Sequence, residues 1–348
     1  MQREVGIAFQ TDKTPAGYRA LAQLVDQYAF DVVSVYCDAP FHPSYGPLLL
    51  MAPHIKRARV GPATVSPFRI PPIDIAANTA LLAGLAQGGV YVGVARGAWL
   101  EDHGIAEGER PIQAIREAVE IVRYLLSGGT GGYAGQVYQL APHVRAPYPL
   151  PRAHIPVMIG TWGPKLCAVA GEIADEVKVG GSANPDIVPV IRRYIAAGEQ
   201  QRSRALYGRQ AGRAAAPGSG VGVVMGAVTV VDEDPKRARE AARQAAALYL
   251  SVVAPLDPTV QVEPELIERL RQHVHRHEDD AATRLISDDL LDRFAFSGAA
   301  ADVIRQAEAL FSAGARRVEF GTPHGLASET GIRILGEQVL PALKALWK

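Results

Sequence analysis

Short β-rich runs alternate with longer amphipathic runs along almost the whole chain, and this alternation restricts the fold more than any other feature of the sequence. A strand followed by a helix cannot pair with the next strand as a tight hairpin. It reaches that strand by a crossover, so the strands become parallel and the helices cover them. The first unit shows the pattern: residues 5–9 form a β-rich run, and Thr14 and Pro15 read as an N-cap followed by proline at the first helical position. Tyr18, Leu21, Val25 and Tyr28 then recur at helical spacing as one apolar stripe. Further strands are expected at 32–36, around Val60, and at 90–95, 155–159, 176–179, 221–231 and 317–320. Helices are expected to begin near Tyr45, Ile73, Ile112, Pro164, Pro185 and Pro235. Eight such strands predict an α/β fold, a (β/α)8 TIM barrel, with residues 1–348 as one domain.

Two segments break the rhythm. Residues 130–150 contain TGGYAGQVYQL, whose glycines and alternating Gln136, Val137 and Tyr138 predict a small hairpin outside the barrel. Residues 255–297 are more than one crossover helix needs, and a helical insertion near the barrel mouth is expected there. The Gly- and Ala-rich stretch 210–220 reads as a loop or lid.

Charge narrows the partners. Lys+Arg and Asp+Glu both total 36, with no tract of one sign, so nothing attracts nucleic acid or an anionic membrane, and a small-molecule substrate is the expected partner. No apolar run approaches the roughly 20 residues that span a bilayer, and the N-terminus has charges around a short apolar stretch with no small-residue cleavage site. A soluble, cytoplasmic protein is expected. Cys37 and Cys167 have neither disulfide-framework nor metal-ligand spacing and read as packing residues.

In a barrel of this kind the chemistry belongs on the loops that follow the strands. The strongest of them is IGTWGPK: Gly160, Thr161, Trp162 and Gly163 lead into a helix at Pro164, whose unpaired N–H groups, with Lys165, suit a phosphate. An ordinary glycine-containing turn accounts for the same residues equally well. Asp38, after the second strand, is placed to accept from a ring N–H or a hydroxyl, although loop capping is the commoner use of such an aspartate. In HVHRHEDD only His273 and His277 would share a helix face, and no HExxH motif is present, so no metal site is expected. GVARG lacks the GxGxxG fingerprint of dinucleotide folds, and no GxSxG elbow of a hydrolase occurs.

Taken in order, VGPATVSP, VGVARGAWLEDHGI, IPVMIGTWGPKLCAVAGEIADE with SANP, RRVEFGTPHG and RILGEQVLPAL resemble the bacterial-luciferase-like flavin and deazaflavin oxidoreductases, and among them the F420-dependent methylenetetrahydromethanopterin reductases. The resemblance implies coenzyme F420, with FMN as the alternative, its ring at the mouth and its phosphate near Gly160, Thr161, Trp162 and Gly163, with Ser182 and Asn184 beside it. It also implies that a non-proline cis peptide joins Ala63 and Thr64 behind the ring, that Asp38 contacts the ring system, and that Ala95, Arg96, Gly97 and Ala98 form the loop after strand four. A homodimer or higher homo-oligomer follows from the same analogy. The chain departs from the family at Ala8, Ala39 and Ala98, where relatives carry acidic residues or histidine. None of the three alanines moves a proton, so the acid-base role passes to His42 or Glu101 as first candidates, to Asp102, His103 or His324, or to water. Three functions follow: an F420-dependent hydride transfer to or from a small organic substrate, with a pterin-like one-carbon carrier favoured; an FMN-dependent monooxygenase; or a catalytically silent flavin-binding protein.

Overall fold

The computed structural model describes residues 3–208 and 220–347, so all of the 210–220 stretch except Gly220 lies outside the described residues. Its strands are β1 (Glu4–Phe9), β2 (Val32–Val35), β3 (Arg59–Pro62), β4 (Val92–Ala95), β5 (Tyr133–Ala134), β6 (Gln139–Leu140), β7 (Val157–Gly160), β8 (Glu176–Gly180), β9 (Gly222–Val231), β10 (Ala295–Gly298) and β11 (Arg317–His324). The large sheet runs β3-β2-β1-β11-β9-β8-β7-β4. Every pair along this path is parallel. Parallel bridges from Val60 to Val90 and from Val65 to Val94 bring the two edge strands together, and the chain is a (β/α)8 TIM barrel.

Local chemistry explains where the elements begin and end. The Thr14 hydroxyl accepts from the Gly17 N–H at the start of the helix Pro15–Val25, as the N-cap reading requires. Tyr18, Leu21, Ala22 and Val25 are its buried face. The helix Pro111–Leu126 ends at Ser127, and Gly128 follows with φ +75°, a conformation that glycine adopts at little cost. All ten residues of β9 are buried, as expected of a parallel strand covered on both faces.

The interruptions also have physical explanations. β5 and β6 pair antiparallel, and the Glu117 carboxylate accepts backbone N–H groups from Gln136, Val137 and Tyr138 at 2.6, 2.9 and 2.8 Å, which ties the hairpin tip to the barrel helix. Residues 255–297 contain the helices Pro264–His275, Asp279–Arg284 and Asp288–Phe294. They end, however, in β10, which sequence pattern alone leaves inside the helical insertion. β10 pairs with β9 at Val228–Val231, beyond the residues of β9 that pair with β8. The four residues of β10, AFSG, are too few to show a periodicity that separates strand from helix. Among the described residues, no helix is long and apolar enough to cross a membrane.

Candidate active site

The loops following β2, β3, β4 and β8 converge, with residues of β9 and β11, on one end of the barrel and leave a cavity of about 200 Å³. Its lining joins Tyr36, Asp38, Ala63, Ala98 and Trp99 to Lys178, Gly180 and Gly181, and to Tyr249, Val252, Val253 and Phe294 of the crossover helix and insertion. A wider groove of about 880 Å³ lies between the helix Pro72–Ala83 and residues 148–156, at the N-terminal ends of β4 and β7. That is the closed end of the barrel, away from every loop that carries candidate chemistry.

The peptide between Ala63 and Thr64 is cis, as the resemblance implied, and so are Ala39–Pro40 and Thr322–Pro323. Ala63 lines the cavity, while Gly160 packs against Thr64 and Ala95: a Cβ at Gly160 would lie 3.2 Å from Thr64 Cγ2 and 3.1 Å from the Ala95 Cβ. In the next loop, Ala98 and Trp99 face the cavity, and Trp99 sits 5.8 Å, centroid to centroid, from Tyr249. The Arg96 side chain turns away instead, forming a two-pronged pair with Glu107 at 2.5 Å on the surface, while Gly97 makes the turn at φ +97°.

Asp38 accepts from Gln10 Nε2 at 3.1 Å. Burial pushes its carboxyl above the usual range, against the opposing pull of the Gln10 hydrogen bond and the charges of Arg69 and Lys178. Burial, reinforced by Asp38, also pushes the Tyr249 phenol up to about 12. The cavity therefore presents neutral phenols beside a carboxyl that is costly to ionise.

Below the loops the barrel interior is charged. Lys178 of β8 pairs with Glu319 of β11, both buried, and the Ser34 hydroxyl donates to Glu319 Oε2 at 2.6 Å while lying 2.7 Å from the Tyr91 hydroxyl. Arg317 Nε is 3.7 Å from the same carboxylate. Burial alone would raise Glu319, but Lys178, Arg317 and the two hydrogen bonds outweigh it and hold the carboxyl below its usual range. These residues are not among those that the loops single out. A signal for them does exist in the sequence: in EVKVG and RRVEFG, charged residues stand two apart within strands whose intervening residues are Val and Phe. Side chains two apart share a face, so the charges must all point into the barrel.

The expected phosphate end is built differently at its two halves. Thr161 and Gly163 surround the start of the ten-residue helix Pro164–Ile173; the Gly163 N–H is taken by Thr161 Oγ1 at 3.1 Å, and Lys165 is exposed. Trp162 donates from Nε1 to the Gly180 carbonyl at 3.1 Å, closing the β7 loop against the β8 loop. Ser182 and Asn184 are fully buried. Asn184 uses its amide inside the protein, donating to Asp257 at 2.9 Å and Thr259 at 2.8 Å and accepting from the Asp186 N–H at 3.1 Å, so it fastens the insertion to the β8 loop. Its amide has no donor left for a phosphate.

Neither first candidate for acid-base chemistry lines the cavity. His42 is exposed and its Nδ1 lies 3.2 Å from the Tyr18 hydroxyl, while Glu101 stands exposed on the short turn Glu101–His103. Asp102 is exposed on the same turn, and His103 Nδ1 is held 2.6 Å from the Trp99 carbonyl. His324 is fully buried at φ +78°, its Nε2 3.1 Å from the Ala8 carbonyl, and burial lowers its pKa to about 4. The ring is thus a neutral donor to the backbone at the position where Ala8 replaces an acid. His273 pairs with Glu278 at 2.6 Å on the surface, and among the described residues no three His, Cys, Asp or Glu side chains cluster as metal ligands.

A parallel barrel with its cavity at the strand C-termini, backed by a non-proline cis peptide, defines a class, and comparison with known proteins identifies it. Residues 3–317 match the luciferase-like monooxygenases; the chain belongs to the luciferase-like monooxygenase family and is an oxidoreductase of that class. The chain is similar to the 5,10-methylenetetrahydromethanopterin reductase of Archaeoglobus fulgidus, with 27% identity covering 97% of this chain and 99% of the relative. Among solved structures, a coenzyme F420-dependent tetrahydromethanopterin reductase from Methanopyrus kandleri superposes with a TM-score of 0.85 at 23% identity, over 99% of this chain and 100% of the other. An F420-dependent secondary alcohol dehydrogenase in complex with an F420-acetone adduct superposes with a TM-score of 0.77 at 19% identity, over 99% of both chains. At these identities the structural likenesses speak for the fold alone.

Proposed function

We propose that this protein is a coenzyme F420-dependent oxidoreductase that moves a hydride between the deazaflavin ring and a small organic substrate, with a pterin-type one-carbon carrier favoured. The observation that carries the reading is the mouth cavity itself, bounded by the cis Ala63–Thr64 peptide, in a chain matched along its whole length by a reductase of that chemistry. The residues present fit a flat ring. Ala63 and Ala98 leave room for one, Trp99 and Tyr249 offer aromatic surface, and a Cβ built at Gly180 would meet nothing within 4 Å.

When bound, the deazaflavin supplies or accepts the hydride. The chain's own residues would do the rest. Ala63 and Thr64 would back the ring, and Asp38, steadied by Gln10, would contact its polar edge. The first turn of the helix Pro164–Ile173 would offer its backbone N–H groups and Lys165 its charge to the phosphate, with Gly160, Thr161 and Gly163 shaping the approach and Trp162 bracing that loop on Gly180. Ser182 and Asn184 would support the site by holding the insertion, whose Phe294, with Tyr249, Val252 and Val253 of the helix Pro235–Val253, would keep water from the reacting atoms. Ala95, Arg96, Gly97 and Ala98 would shape the loop that carries Trp99. His42 and Glu101 would act from outside the cavity lining, by movement of their loops or by way of water.

The test is equilibrium binding of F420 and of FMN to purified, cofactor-free protein, followed by optical assay of reduced F420 with methylene-pterin and ketone acceptors. Tight F420 binding with acceptor-dependent oxidation is the expected result, and binding of neither cofactor overturns the reading. The family's monooxygenase chemistry favours one alternative, in which FMN binds in preference and the reduced protein consumes oxygen. We also propose a homodimer or higher homo-oligomer, supported by Ile73, Leu81 and Leu85, which stand exposed on one helix and its end; light scattering of the purified protein decides it.

A further inference from the structure

We propose that Lys178 is the fixed cation facing the bound ring, that its charge stabilises the negative charge the ring acquires when a nucleophile or hydride adds to it, and that Glu319 sets how much of that charge is felt. The inference rests on the F420 reading above.

Four observations converge on this residue. Lys178 lines the mouth cavity although its side chain is only 7% exposed. Its carboxylate partner is Glu319, and it donates a hydrogen bond to no other group among the described residues, so an ammonium with three donors keeps capacity directed at the cavity. Its other close neighbour is the Tyr36 ring, 5.5 Å from Nζ, which attracts a cation without consuming a donor. Finally, the backbone is shaped to admit it: Gly226 of β9 places no side chain beside the lysine stem, and a Cβ there would lie 3.4 Å from Lys178 Cε.

Glu319 does not cancel this cation outright. Its carboxylate is shared among Lys178, the Ser34 hydroxyl at 2.6 Å and Arg317 at 3.7 Å, so Lys178 retains a net field toward the cavity. Asp38 faces the same space, but its carboxylate is engaged by Gln10 Nε2 at 3.1 Å and makes no ion pair with Lys178 among the described residues. A buried lysine so placed would be expensive without a partner within the protein and of little use without one in the cavity.

Sulfite addition tests the charge without turnover. Sulfite adds through its own electron pair to the electrophilic carbon of the oxidised ring. A C–S bond forms, one pair of ring electrons is displaced into the ring, and the adduct carries the resulting negative charge; no oxidant or reductant is consumed. The F420-loaded protein is titrated with sodium sulfite and followed by loss of the visible absorbance. Lys178→Met combined with Glu319→Gln keeps the interior neutral and is expected to bind sulfite about tenfold more weakly, the order of one partly screened ion contact. Lys178→Arg restores affinity toward wild type. Glu319→Gln alone removes the neutralising carboxylate, keeps the ammonium and tightens the adduct, so the test survives if the double variant fails to fold. Equal sulfite affinity in wild type and double variant, or a weakened adduct in Glu319→Gln, overturns the proposal. Failure of wild type to bind F420 at all overturns the cofactor reading instead.

Discussion

The two ends of the barrel interior are built from the same residue types and used in opposite ways. At the closed end, Arg317 reaches Glu176 at 3.0 Å and Glu4 at 3.4 Å, and Arg59 reaches both glutamates at 3.2 Å. Each charge there meets its opposite within the protein. At the mouth, Lys178 keeps unspent donors, Asp38 is pushed toward its neutral form and His324 is held uncharged. Opposite charges packed against one another close one end of the barrel, even though Arg59 Nε and Arg317 Nε keep no hydrogen-bond partner there. The mouth instead carries titratable groups that burial shifts toward their neutral forms, beside one lysine that lines a cavity.

Removing a charge from the closed end gives the largest expected effect. Arg317→Met removes the fully buried cation of this network and leaves Glu176 and Glu4 to share Arg59, and denaturant unfolding should show a loss of about 3–5 kcal/mol. Combining it with Glu176→Gln should recover much of that loss. If the single variant is as stable as wild type, the closed end is not the quenched network described here.

Steric closeness near the mouth comes next. A Cβ at Gly321 would lie 2.3 Å from the Tyr36 hydroxyl and 2.7 Å from the Ala227 carbonyl, so Gly321→Ala should cost about 1–3 kcal/mol and displace Tyr36 toward the cavity. A melt with and without cofactor reads both effects; a variant that melts and binds like wild type would show that the mouth is loosely packed.

His324 sharpens the comparison by pH. Its folded pKa of about 4 lies below the ordinary 6.5, so between these values the unfolded chain binds more protons and acidification destabilises the fold. The stability of wild type relative to His324→Gln, whose amide nitrogen stands about as far along the side chain as the imidazole Nε2 that meets the Ala8 carbonyl, should fall by about 2–3 kcal/mol from pH 6.5 to 4. A pH-independent difference would mean that the imidazole is not held neutral. The smallest effects are expected at His42 and Glu101. His42→Ala and Glu101→Gln, acting from outside the cavity lining, should each lower kcat/KM by about 1 kcal/mol equivalent or less, and a hundredfold loss in either would mean that its loop closes onto the reacting atoms.

The barrel was legible because its cause is local. Alternating strands and amphipathic helices, Thr14 and Pro15 at a helix start and Gly128 past a helix end are consequences of neighbouring residues, and each appears in the structure where the spacing placed it. The resemblance of the ATVSP segment likewise anticipated the cis bond at Ala63–Thr64. One element was not legible: β10 was hidden because its four residues have meaning only against the far end of β9. His42 and Glu101 were singled out by residue type alone, and the fold adds that both are exposed, with His42 against Tyr18.

The sequence by itself determined the parallel architecture and, through it, the strand ends whose loops gather at one mouth. Tertiary structure alone decided that Lys178 pairs with Glu319 and Arg317 with Glu176, that Asn184 spends its amide on Asp257, and that Tyr249 of a distant helix completes the cavity. Periodicity records which face of an element is buried. It does not record which buried faces meet, because those contacts join residues as far apart as Ser34 and Glu319 and exist only once the sheet has closed.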